Sequence, residues 1–89
     1  MEKTMADYIT SAAGNGSAVI LDRETREPVA SVERSKGGAT PNEGQWFAYP
    51  CPSHVDMMAY QHDRAAHAAV WAPTRREAAQ AVLEHMGLI

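Results

Sequence analysis

The run CPSHVDMMAYQHDRAAH, from Cys51 to His67, holds the single cysteine of the chain and three of its four histidines. Thiolate and imidazole are the usual ligands of zinc, and Cys51-Pro52-Ser53-His54 has a two-residue spacer suited to it. His62 and His67 would complete a four-ligand set. A helix through this segment argues against that set. It would hold His54 and His62 about 12 Å apart along its axis, too far for one ion.

The second chemistry is nucleophilic. An imidazole from His54 could activate Cys51, with Asp56 or Asp63 orienting the base. A lone cysteine more often packs as a small apolar side chain, and a chain of 89 residues leaves little room for a substrate pocket. The expectation is a protein that is not an enzyme and has no cofactor. Metal binding through Cys51, His54, His62 and His67 is kept as an alternative.

Two other side-chain sets could make contacts. Arg23, Arg26, Arg34, Lys36, Arg75 and Arg76 could follow a nucleic-acid backbone along a hairpin edge and a helix start. Asp22, Glu24, Glu27 and Glu33 interleave with them and cancel much of the field. Trp46, Phe47, Tyr49, Met57, Met58 and Tyr60 are of the types that favour protein interfaces. Together with Trp71 they are more than one face of a small sheet easily buries.

Composition limits these choices. The net charge is −3 and the sequence pI about 5.7, which is not the basic balance of a dedicated nucleic-acid binder. Sixteen alanines make up much of the apolar content, and alanine removes little area from water. A core this thin suggests an apolar face completed by a protein partner or a second copy. One cysteine allows no internal disulfide, in keeping with a reducing cytoplasm. No run is long and apolar enough for a membrane span, and the first residues do not read as a signal peptide.

The elements that must position these residues follow from periodicity. Met5, Tyr8, Ile9 and Ala12 recur at helical spacing, which predicts a helix over Glu2–Ala13, ended by Gly14-Asn15-Gly16-Ser17. Ala18–Asp22 and Pro28–Arg34 read as strands. Bulged forms of a connection like Arg23–Glu27 need a residue with positive φ and this one offers no glycine, so either Arg26 takes that conformation at some cost or the loop is wider.

Residues 35–45, with three glycines and a proline, read as a flexible loop. Gln45–Tyr49 is a third strand. Trp46 and Phe47 must lie on its opposite faces, with one of them buried. A helix is expected from His54 to Arg64, and a strand within His67–Ala72. Thr74 and Glu77 form a capping box for a last helix with Ala78, Ala79, Val82, Leu83 and Met86 on one face. Gly87 closes that helix, and Leu88 folds back on Leu83.

The segment VWAPTRREAAQAVL, residues 70–83, resembles the end of the arm-binding domains of phage-type integrases. The likeness covers this one strand-to-helix junction and its capping box, and it implies a DNA-binding role. The alanine and arginine bias also fits an accessory protein of a high-GC bacterium or its phage.

The expected fold is a single α+β domain over 1–89: an antiparallel sheet of three or four strands, with an N-terminal and a C-terminal helix packed on one face. The expected function is a non-catalytic binding or regulatory module. It would act through a protein partner or as a homodimer, with nucleic acid as the alternative.

Overall fold

The computed structural model describes residues 2–14, 16–35, 44–50 and 68–89. Among the described residues, five strands form one antiparallel sheet in the order β1-β2-β3-β4-β5, and one helix follows. The strands are β1 (Tyr8–Gly14), β2 (Ser17–Asp22), β3 (Pro28–Arg34), β4 (Trp46–Pro50) and β5 (Val70–Ala72). The helix is α1 (Arg75–His85). Each strand pairs with the next along the chain, so the sheet is a meander. The class remains α+β.

The expected N-terminal helix is not there, and the sheet has five strands where three or four were expected. A single 3-10 turn, Met5–Asp7, leads straight into β1. Thr4 and Asp7 make a capping box, but the helix it starts runs for one turn. The physical reason lies in Tyr8-Ile9-Thr10. Aromatic and β-branched residues favour an extended backbone, and a lone helix of twelve residues is marginal in water. Pairing with β2, from Tyr8↔Asp22 to Gly14↔Ser17, supplies hydrogen bonds that an isolated helix would have to make alone.

The β2–β3 connection is tight. Asp22 N–H donates to Glu27 O at 2.9 Å, and Arg26 N–H to Asp22 O at 2.8 Å. Arg26 has φ 66° and so carries the left-handed conformation in a turn without glycine. The base of the next connection is pinched. Ser35, which is buried, donates its N–H to Gln45 O at 2.7 Å and accepts from Gly44 N–H at 2.9 Å. Gly44 has φ 87°, which suits glycine. Most of the loop expected over 35–45 and all of the helix expected from His54 to Arg64 lie outside the described residues.

Apart from the register shifts at Gly14 and Pro28, even-numbered strand residues point to one face of the sheet and odd-numbered ones to the other. The even face carries the core. Ile20, Ala30, Val32, Ala48 and Ala72 are buried against Ala78, Ala79, Val82 and Leu83 of α1. The helix lies over β3, β4 and β5.

Its start and stop follow the local sequence. Thr74 Oγ1 accepts from Glu77 N–H at 3.2 Å and donates to the Glu77 carboxylate at 3.1 Å. At the other end Gly87 N–H donates to Glu84 O, and Leu88 N–H to Leu83 O, the paired bonds of a Schellman closure. Gly87 carries the left-handed φ of 75° that this closure needs.

Candidate interaction surface

The free edge of β1 is the feature best suited to binding. No strand lies beyond β1 among the described residues. β1 spans seven residues, YITSAAG, with no charge and no proline. Such an edge presents unpaired backbone groups that a further strand can take up, and proteins commonly guard it with lysine or proline. Thr10, Ser11 and Ala12 are exposed along it. At the opposite edge β5 has three residues, too few to be a comparable template.

The hydrogen-bond phase of this edge follows from its neighbours. Arg23 N–H donates to Asp7 O, so Asp7 faces β2. In an antiparallel pair the direction alternates with each residue. Ile9 and Ser11 therefore face β2 with their backbone groups, and Tyr8, Thr10 and Ala12 face outward. The Tyr8 N–H is already used, since it donates to Met5 O. This leaves Tyr8 C=O and both backbone groups of Thr10 and Ala12 on the outer edge.

The beginning of β1 is anchored. Lys3 Nζ donates to Asp22 Oδ2 at 2.6 Å and lies 5.6 Å from the centre of the Tyr8 ring. Asp22 Oδ1 accepts from the N–H groups of Glu24 and Thr25 at 2.9 and 3.0 Å. The bond from Lys3, followed by the backbone bonds, lowers the Asp22 carboxyl to about 2. The same bond to Asp22 raises the Lys3 ammonium. Arg23 Nε donates to Ala6 O at 2.7 Å and ties the 3-10 turn to the hairpin.

The odd face of the sheet is mixed. Phe47 and Tyr49 are buried, at 4% and 6% exposure. Phe47 packs on Tyr49 with ring centres 6.3 Å apart, and on Trp71 at 5.0 Å with the rings tilted by 44°. The Tyr49 hydroxyl donates to Glu33 Oε2 at 2.8 Å. Ile9, Val19 and Leu21 lie on the β1–β2 half of this face and are half-buried.

The residue sets expected from the sequence are separated by this arrangement. Trp46 stands on the even face beside the core, away from Phe47 and Tyr49 on the odd face. Phe47 is the buried member of the Trp46–Phe47 pair. Met57, Met58 and Tyr60 lie outside the described residues.

The basic set divides as well. Arg23 and Arg26 sit in the β2–β3 turn. Arg34 ends β3 at the far end of the sheet, in register with Trp46 and Ala72, just before Arg75 and Arg76. The two groups are separated by the length of β3, roughly 20 Å. Lys36 lies outside the described residues, as do Cys51, His54, His62 and His67. Among the described residues no group of three or more His, Cys, Asp or Glu could hold a metal ion. Among them, too, no helix is long and apolar enough to cross a membrane.

The edge residues Thr10 and Ala12 were missed in the sequence because β1 reads as a helix there. The signal was present. Asn15-Gly16 between YITSAA and SAVILD is the dipeptide that most favours a tight hairpin.

Comparison of the chain with protein-family models, with curated proteins and with solved structures returned no match.

Proposed function

We propose that this chain is a small, non-catalytic interaction module that works through protein contacts in the cytoplasm. The observation that carries this reading is the unguarded outer edge of β1. Seven uncharged residues without proline leave the backbone groups of Thr10 and Ala12 facing out. An extended segment added there gains main-chain hydrogen bonds from the edge and selectivity from side chains on alternate faces. The half-buried Ile9, Val19 and Leu21 beside that edge add apolar contact on the odd face.

The test is selection of binders from a random-peptide display library, followed by amide hydrogen exchange on the complex. Slower exchange at Thr10 and Ala12 is expected. Binders that protect other amides and leave these two unchanged would refute the reading. Retention on heparin at low salt with a steep salt dependence would instead support nucleic acid, through Arg23 and Arg26 or through Arg34, Arg75 and Arg76.

A further inference from the structure

We infer that the β1 edge pairs with the β1 edge of a second copy, antiparallel and about a two-fold axis at Thr10. This rests on the interaction-module reading and names its partner.

The register follows from the outward groups. With Thr10 opposite Thr10 of the second copy, each Thr10 N–H donates to the other's C=O. Each Ala12 N–H then meets the C=O of Tyr8 across the axis. The Tyr8 N–H takes no part, being bonded to Met5 O already. Four bonds therefore join the two copies, and each Ala12 C=O, opposite a Tyr8 N–H that is already used, stays with water.

Three further features fit a second copy. Thr10 is exposed on the even face, and facing threonines form a favourable cross-strand pair. No charged residue lies on β1, so self-pairing sets no like charges opposite one another. The described charges that precede the strand, Glu2, Lys3 and Asp7, lie at its start. In this register they approach the Gly14–Ser17 end of the other copy, whose described residues carry no charge. A two-fold axis perpendicular to the sheet makes the two five-stranded sheets continuous and puts both copies of α1 on the same side. Ile9 then stands opposite Ser11 of the second copy on the odd face. A single strand's worth of new bonds makes this a weak, concentration-dependent dimer.

The experiment is sedimentation equilibrium on the wild-type chain and on Thr10→Lys and Thr10→Glu. Wild type is expected to dimerise as concentration rises. Each variant alone should associate roughly tenfold or more weakly, because like charges then face each other across the axis. An equimolar mixture of the two variants should recover a one-to-one heterodimer. Thr10 is exposed, so both variants should melt as wild type does, and circular dichroism checks this.

In a mixed isotope-labelled sample, an intermolecular contact between the Ile9 and Ser11 α-protons fixes the register. A wild-type chain that stays monomeric overturns the inference, as does a dimer indifferent to both variants or a mixture that fails to recover. A monomer whose Thr10 and Ala12 amides are protected by a displayed peptide would overturn self-pairing and leave the module reading standing. A monomer that binds no peptide at this edge removes both.

Discussion

The two faces of the sheet are built from different side chains and reach burial in different ways. On the even face small residues do the packing. Ala30, Ala48 and Ala72 lie under Ala78 and Ala79, and all are buried. Alanine brings a helix close to a sheet, and the larger Ile20, Val32, Val82 and Leu83 fill what remains. The odd face uses an aromatic cluster, Phe47 with Tyr49 and Trp71, and a polar Tyr49–Glu33 contact. Beside that cluster Ile9, Val19 and Leu21 are half-exposed. A high alanine content therefore does not mean a loose core here. It marks the helix-covered face, and the weaker cover belongs to the β1–β2 half of the other.

The strongest challenge to this contrast is a charge at its centre. Val32 is 0% exposed between sheet and helix. Val32→Asp should abolish the cooperative fold, since a carboxylate there has no partner, and far-ultraviolet circular dichroism would show it.

Next comes a matched pair of leucines. Leu83→Ala on the covered side should cost about 2–5 kcal/mol in urea unfolding. Leu21→Ala on the open half should cost about 1 kcal/mol or less, because Leu21 has less buried area to lose. Equal costs would mean that the odd face is as well covered as the even one.

A double-mutant cycle on Phe47 and Trp71 sharpens the aromatic side. A coupling of about 0.5–1.5 kcal/mol is expected for rings 5.0 Å apart. No coupling would reduce the cluster to separate apolar contacts.

The smallest effect concerns the even face beyond the reach of α1, where Lys3 rather than the helix holds Asp22. Asp22 is lowered from 3.8 to about 2 in the folded protein. Its contribution is therefore present above about pH 4 and is lost as pH falls toward 2. Melting temperatures across that window should fall more in wild type than in Asp22→Asn. Parallel curves would show that the Lys3–Asp22 contact adds nothing to stability.

Several elements were legible in the sequence because they are decided locally. Thr74 at the helix start, Gly87 past its end and the apolar spacing between them specify α1 without reference to the sheet. The β2–β3 turn was legible for the same reason. With no glycine in that stretch, the choice lay between Arg26 at positive φ and a wider loop, and Arg26 takes φ 66°. Strands β3, β4 and β5 were also expected from β-branched and aromatic runs close to their observed bounds.

The first fourteen residues were not legible in this way. Met5, Tyr8, Ile9 and Ala12 fit a helical stripe, while Tyr8-Ile9-Thr10 also fits a strand. The proposed binding edge depends on which one forms. Burial was equally hidden, since nothing local says that Trp46 packs beside the helix while Phe47 turns to the opposite face.

The sequence alone determined the α+β class, the capped last helix and the absence of any internal disulfide. These rest on covalent content, on steric limits of φ and on hydrogen bonds between residues a few positions apart. Tertiary structure decided that the N-terminal segment is a strand and, among the described residues, that the sheet has five strands with β1 at its edge. A strand cannot satisfy its backbone within itself, so its existence and its neighbours are settled by distant residues, here Ala18–Asp22 pairing with Tyr8–Ala12.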